Sequence, residues 1–204
     1  MEKKLSVGMI FNEGLQIALK NVASIFGAVI LWVLTIWIPY INVGTTIAIM
    51  TLPIELSKGN VMSPTAIFDP KYRKYMGEFF ILTALMGMAI YFAAIFLIVP
   101  AIVIGIAWSM AVYLLLDKGL NPMQAIAKSN QITYGYKWTM FFGKLVLILI
   151  PYIVVMIGAA ISGVVGAIIM LIGLVFLMPA SLAGDAVIYK KLAGDDAENV
   201  APVE

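Results

Sequence analysis

The sequence contains no histidine and no cysteine, and charged residues make up only 12% of its 204 positions. A chain without these two residue types cannot form a His-assisted serine nucleophile, a thiol nucleophile, a disulfide or a His-ligated metal site. It also lacks a phosphate-binding glycine loop of the P-loop type. We therefore expect a protein that is not an enzyme and that binds no cofactor.

Hydrophobic residues make up 63% of the chain, and its mean hydropathy is +1.03. Such values lie outside the range of water-soluble domains and indicate that a bilayer surrounds the chain. We predict a single transmembrane domain over residues 1–194 and a short polar C-terminal tail over residues 195–204. The net charge of +2 is too small to indicate nucleic acid as a partner.

Three long blocks carry no Asp, Glu, Lys or Arg: Asn21 to Ile54, Phe79 to Leu116 and Leu145 to Gly184. Each block is long enough for about two helical spans of roughly 20 residues. The first block is the shortest, so one of its helices is expected to be short, tilted or re-entrant. The apolar runs are continuous rather than alternating, which favours helices over the strands of a membrane barrel.

Two spans joined by an uncharged turn leave one side of the bilayer and return to it. The turns are expected near Tyr40 to Asn42, near Val99-Pro100 and around Ser162 to Gly166. All 13 Lys and Arg residues lie outside the blocks, and basic residues in short loops mark the cytoplasmic side. We predict an all-α bundle of six transmembrane helices in three hairpins, in a bacterial or archaeal cytoplasmic membrane, with both termini cytoplasmic.

Each pair of spans is preceded by a segment with a helix-start signal. Ser63-Pro64 and Asn121-Pro122 combine a capping residue with proline at the first helical position, and Ser6 stands at a comparable place. The segments that follow are modestly amphipathic, as expected for helices that lie along the lipid headgroups. We interpret them as passive anchors, with a gate or a partner-docking helix as the alternative.

Three carboxylates, Glu55, Asp117 and Asp185, stand near the ends of the three blocks. A negative charge at a helix C-terminus meets the unfavourable end of the helix dipole. One hypothesis is that these candidate functional acids converge into a cation or proton site at the cytoplasmic mouth of the bundle. The plainer interpretation is that they are solvated residues at the membrane boundary. Lys144, directly before the third block, is interpreted as snorkelling to the headgroups, with a buried functional cation as the alternative.

Basic and aromatic side chains lie together between the first and second blocks. Lys71, Tyr72, Arg73 and Lys74 are candidate lipid-headgroup contacts, because tyrosine favours the interface and Lys and Arg reach the phosphates. General positioning in the membrane and recognition of a specific lipid both fit this pattern, and positioning is the plainer of the two. Membrane lipids are therefore the first expected partner.

Ala159, Gly163 and Ala167 recur at four-residue spacing and form a candidate helix-packing face. Small residues let helices approach closely inside a membrane. Such a face can serve a contact within one bundle or the seam of a homo-oligomer. Only the contact within the bundle is needed to explain the pattern.

The stretch from Trp108 to Phe142 carries a recognisable succession of residues. It reads Trp-Ser-Met-Ala-Val-Tyr-Leu-Leu-Leu-Asp from residue 108, followed by Asn121-Pro122, Ala125-Ile126, Ser129, Gly135, Trp138 and Phe141-Phe142. It resembles the membrane domain attached to some glycerophosphoryl diester phosphodiesterases, and related six-helix bacterial and archaeal membrane families of unknown function. The resemblance implies a stand-alone membrane module near lipid metabolism or envelope maintenance. It does not imply hydrolysis, which resides in a separate soluble domain of the fused enzymes.

The sequence thus predicts a non-enzymatic integral membrane module that interacts with lipid or supports a membrane protein partner. A small oligomeric transporter or channel is the alternative, although the apolar blocks offer it only scattered Ser and Thr hydroxyls. A polar stripe that converges inside the bundle would favour that alternative.

Overall fold

The computed structural model describes residues 5–161 and 163–194. Within these two ranges the chain is helical and contains no β-strand. Five of the helical stretches are long and apolar enough to cross a membrane. The fold is therefore that of a multi-pass α-helical membrane protein. Ser162, which was assigned to the third turn, and the predicted tail over 195–204 lie outside the described residues.

The described ranges hold eight α-helices and two short 3-10 helices. The α-helices are α1 (Val7–Thr35), α2 (Pro39–Ser57), α3 (Met76–Phe96), α4 (Ile98–Ala107), α5 (Ala111–Lys118), α6 (Pro122–Thr133), α7 (Lys137–Ala160) and α8 (Gly163–Ala193). The 3-10 helices, Pro64–Phe68 and Pro70–Arg73, lie in the linker between α2 and α3.

The five candidate spans are α1, α3, α4 together with α5, α7 and α8. Six spans were expected, and the helix that is not among the five candidates is α2, which is 19 residues long. It carries Asn42, three threonines and an internal proline, Pro53, all of which make it less apolar than the five candidate spans. Of the two helices in the first block, α2 is therefore the one that departs from a regular transmembrane span.

The chain turns close to the three predicted places. Between α1 and α2 the helix breaks over residues 36–38, and Pro39 pre-sets the first turn of α2. Leu97 separates α3 from α4 with an extended backbone. At the third turn α8 begins at Gly163, whose φ of +83° is a left-handed conformation that favours glycine.

Two of the three predicted helix starts are confirmed as side-chain caps. Ser6 accepts the backbone N–H of Met9 at 3.2 Å, and Asn121 forms a capping box with Gln124 at the start of α6. The third, Ser63, precedes only a five-residue 3-10 helix. The N-terminal segment is also not a separate interfacial helix, because α1 contains no proline and runs unbroken for 29 residues.

The close approach of α7 and α8 depends on three glycines. A Cβ atom on Gly173 would lie 2.7 Å from the backbone nitrogen of Val155. Cβ atoms on Gly158 and Gly166 would likewise be crowded by the backbone, that of Met170 for Gly158 and the Gly158 and Ile161 carbonyls for Gly166. The predicted face of Ala159, Gly163 and Ala167 does not form this contact. Because α7 ends at Ala160 and α8 starts at Gly163, the three residues do not share one helix, and all three are exposed.

Candidate functional site

Asp185 of α8 lies at the centre of a buried ion pair. Its Oδ1 atom is 2.6 Å from the ammonium of Lys144 on α7, and its Oδ2 atom accepts the phenol hydroxyl of Tyr113 on α5 at 3.0 Å. The Asp185 side chain is only 10% exposed, whereas that of Lys144 is 31% exposed. The interpretation of Lys144 as a purely snorkelling side chain is therefore wrong, because its charge is turned towards Asp185.

Asp117, at the end of α5, forms the second half of the same network. Its Oδ1 atom lies 2.5 Å from the ammonium of Lys58, and its Oδ2 atom lies 3.2 Å from that of Lys118. The phenol of Tyr189 on α8 donates to Oδ2 at 2.6 Å. With its side chain 8% exposed, Asp117 is held among hydrogen-bond donors rather than solvated at the boundary.

The two halves are joined by a reciprocal arrangement of tyrosine and aspartate. Tyr113 and Asp117 are one helical turn apart on α5, and Asp185 and Tyr189 are one turn apart on α8. Each phenol donates to the acid of the other helix, and the two tyrosine rings meet edge to face at 5.9 Å. We call these residues, with Lys58, Lys118 and Lys144, the Tyr–Asp clasp.

The third predicted acid, Glu55, does not join the Tyr–Asp clasp. It accepts the side-chain amide of Asn60 at 2.9 Å, and its backbone carbonyl accepts the Asn60 N–H, so both contacts close the end of α2. Glu55 also lines a small cavity of about 180 Å³ with Lys71, Tyr72 and Tyr75. Two of the three acids thus come together, and the third supports the linker.

A helix break lies beside the clasp, between α4 and α5. Ala111 N–H bonds to Trp108 instead of Ala107, which leaves the Ala107 carbonyl and the Met110 N–H without partners in their own helix. Ser129 of α6 donates to the Ala107 carbonyl at 2.7 Å and accepts the Met110 N–H at 3.2 Å. A break inside an apolar span is tolerated only where another element satisfies the freed groups.

The neighbouring hydroxyl of Thr133 also donates to the Ala107 carbonyl, at 3.1 Å. Both Ser129 and Thr133 are fully buried. Ser129 belonged to the stretch that carries the family resemblance, but nothing in the sequence indicated that it satisfies a broken helix 19 to 22 residues earlier in the chain. The amphipathic helix α6 is therefore more than a passive anchor.

The basic linker before α3 is organised by tyrosine rings. The Arg73 guanidinium lies 5.1 Å from the centre of the Tyr40 ring, and the Lys71 and Lys74 ammonium groups lie 5.0 and 4.8 Å from the rings of Tyr72 and Tyr75. The Tyr72 phenol is itself buried and donates to the Met62 sulfur. Burial raises the pKa of the Tyr72 phenol above its usual value.

One buried polar atom within the described ranges has no partner. The side-chain Nδ2 of Asn21 on α1 donates to the Ile17 carbonyl at 2.9 Å, but the Oδ1 atom accepts no hydrogen bond. In the same ranges no cluster of three or more acidic, His or Cys residues is arranged to hold a metal ion.

Comparisons with family models, with curated proteins and with solved structures return no match for the chain. The class is defined by the fold and the site: a multi-pass helical membrane protein with a buried ionic network at one end of its spans. The resemblance to the phosphodiesterase-linked membrane domain stays a prediction.

Proposed function

We propose that the protein is a non-enzymatic integral membrane module that binds lipid headgroups at its charged face, alone or in support of a membrane protein partner. The observation that carries the proposal is the placement of Lys71, Arg73 and Lys74 on tyrosine rings directly before α3. Such a set of cations and aromatic rings is suited to the phosphates of anionic lipids.

The position of the linker against α3 supports this function. α3 begins at Met76 and exposes a long series of apolar side chains, as expected of a helix in contact with acyl chains: Phe80, Ile81, Leu85, Met88, Tyr91, Phe92, Ile95 and Phe96. The linker cations are two to five residues before the start of this helix, so they lie at the depth of the headgroups when α3 spans the hydrocarbon.

We also propose the topology in which this face is cytoplasmic. Six helical passages would form three hairpins, with α2 as the short, tilted member and both termini on the inside of a bacterial or archaeal cytoplasmic membrane. The contact of Lys58 with Asp117 supports the arrangement, because it joins the linker after α2 to the end of α5 on a single face. The same reasoning agrees with the stand-alone membrane module that the family resemblance implies.

A lipid titration with a matched control tests the function. The purified full chain is titrated with dioleoyl phosphatidylglycerol and with dioleoyl phosphatidylcholine, and bound lipids are counted by native mass spectrometry. Each basic residue near an anionic surface contributes about 1 kcal/mol, so the three substitutions in K71Q/R73Q/K74Q should together weaken phosphatidylglycerol binding by about 100-fold.

The control variant K128Q/K190Q/K191Q removes the same charge from residues that lie outside the linker. Equal losses in the two triple variants would show that only net charge matters, and an unchanged linker variant would contradict the proposal.

An oligomeric transporter or channel is the second candidate function. It is favoured by the discontinuous helix between α4 and α5, which lies beside two buried acids, because transporters use broken helices and membrane-buried carboxylates in this way. Cation and proton flux in proteoliposomes tests it. Flux by the native chain that D117N or D185N abolishes would establish the transporter, and absence of flux would exclude it for those ions.

A further inference from the structure

An open groove of about 410 Å³ lies between α4 and α7 and shares Lys144 with the Tyr–Asp clasp. Most of its wall is aliphatic or aromatic, and its lining includes Ile102, Ile106, Phe141, Leu145, Ile148 and the backbone of Gly105. Its volume lies within the roughly 300–1,000 Å³ of small-molecule sites. The groove is therefore large enough to hold part of a lipid.

The groove runs along α4 and α7. Its lining residues extend from Ile102 on α4 to Ser109, two residues beyond that helix, which is about 10 Å at 1.5 Å per residue. A groove of this length can take up part of an acyl chain.

Two polar side chains, those of Lys144 and Ser109, line the groove. The Cα–Cβ bond of a helical residue tilts towards the helix N-terminus, so the Lys144 side chain starts out towards Met140 rather than towards Ile148. Within the clasp the Lys144 ammonium contacts only Asp185, and the side chain remains 31% exposed. An ammonium has three N–H donors, so donors remain for a phosphate oxygen.

Aromatic rings lie one to two helical turns before Lys144. Trp138, Phe141 and Phe142 form an aromatic cluster at the start of α7, with the Trp138 and Phe142 rings stacked at 6.1 Å and the Trp138 and Phe141 rings edge to face. Aromatic clusters of this kind mark the membrane interface. Lys144 follows Trp138 by six residues, or about 9 Å along the axis, and a lysine side chain is long enough to bring its ammonium back towards the level of the phosphates.

We propose that this groove binds one anionic glycerophospholipid, with an acyl chain between α4 and α7 and the phosphate on Lys144. The inference rests on the lipid-binding function proposed above and adds a defined site to it. The chemistry of the lining supports this ligand class, because Lys144 retains N–H donors that it does not give to Asp185 and, apart from Ser109, the other lining side chains are apolar.

Two variants test the groove by independent means. G105L adds bulk to its wall, and a Cβ atom at Gly105 would meet only Ile90 Cδ1, at 4.0 Å. The matched control is G87L on α3, where a Cβ atom meets nothing within 4 Å and the position is exposed outside the groove. K144Q/D185N removes the phosphate-binding cation together with its counter-charge, so that no buried charge is left alone. Its control is K137Q, on the same helix and outside the groove.

The measurement is the dissociation constant of the tightest dioleoyl phosphatidylglycerol adduct in native mass spectrometry of the full chain. A charge-assisted hydrogen bond contributes about 1.5–3 kcal/mol, so K144Q/D185N should weaken this adduct about tenfold or more. G105L should also weaken it, because the added side chain occupies space that the acyl chain needs, and G87L and K137Q should leave it unchanged. Dioleoyl phosphatidylcholine should bind the native chain more weakly than phosphatidylglycerol.

The outcomes separate this inference from the proposed function. If the linker variant K71Q/R73Q/K74Q loses phosphatidylglycerol but G105L and K144Q/D185N bind like the native chain, the groove site is overturned and the headgroup-binding function stands. If the groove variants lose the tight adduct and the linker variant does not, the groove stands and the linker proposal falls. A native chain that binds no phosphatidylglycerol overturns both.

Discussion

The ion pair between Lys144 and Asp185 allows a quantitative prediction about stability, in which the two single substitutions are unequal. K144Q leaves the Asp185 carboxylate, with a side chain 10% exposed, without its cation. Removing one partner of a buried pair costs about 3–5 kcal/mol. D185N should cost less, about 2 kcal/mol, because Lys144 is 31% exposed and its long side chain can reach the headgroups.

The double variant supplies the decisive comparison. K144Q/D185N removes both charges, and an Asn at position 185 can still accept the Tyr113 hydroxyl that bonds Asp185 at 3.0 Å. It should therefore be more stable than K144Q alone, with a coupling energy of about 2–3 kcal/mol between the two sites. The free energy of unfolding is measured for all four proteins by SDS titration in mixed micelles, followed by far-ultraviolet circular dichroism.

An exposed ion pair serves as the control for the same cycle. Lys71 and Asp69 lie 3.5 Å apart with side chains 64% and 42% exposed, so their coupling should not exceed about 1 kcal/mol. Additive effects of K144Q and D185N would refute the argument that the pair is held in a low-dielectric site. A larger loss for D185N than for K144Q would refute the assignment of Lys144 as the more mobile partner.

Three further predictions concern buried polar groups and topology. S129A should lower the free energy of unfolding by about 1–3 kcal/mol, because the Met110 N–H loses its partner and the Ala107 carbonyl keeps only the bond from Thr133; an unchanged stability would show that the break is satisfied in another way. N21L should raise the thermal unfolding midpoint, because it removes a buried acceptor without a partner, and a lower midpoint would contradict this reading. Single cysteines at Asn60 and Lys191, in a chain that has none of its own, should react with an impermeant maleimide from the same side of the membrane, and one at Trp37 from the other. Labelling of Asn60 and Lys191 from opposite sides would overturn the hairpin topology.

The helical, membrane-spanning character of the chain was predictable because it depends on composition over long windows. The same is true of the caps at Ser6 and Asn121, since an N-cap is recognised by residues adjacent in sequence. The number of spans was harder to predict. Pro53 and Asn42 lie in an uncharged block, so the absence of charge alone did not separate the less apolar α2 from the longer spans.

The partners of the buried polar groups were not predictable from local patterns. Ser129 satisfies a break 19 residues earlier, and Lys144 meets an acid 41 residues later, so neither contact leaves a signal in the surrounding sequence. The packing face was misjudged for a related reason. Four-residue spacing places Ala159 and Gly163 on one face only if the helix is continuous, and the chain turns between them.

The Tyr–Asp clasp does have a sequence signal when the order of its residues is combined with the hairpin topology. Tyr113 precedes Asp117 by one turn on α5, whereas Asp185 precedes Tyr189 by one turn on α8. If the helices were antiparallel, the two acids would face each other and so would the two phenols. Parallel helices place each acid opposite a phenol, as the contacts show. Both helices are second members of predicted hairpins, and that topology predicts that they run parallel. The reversed order is then the one that satisfies both buried acids.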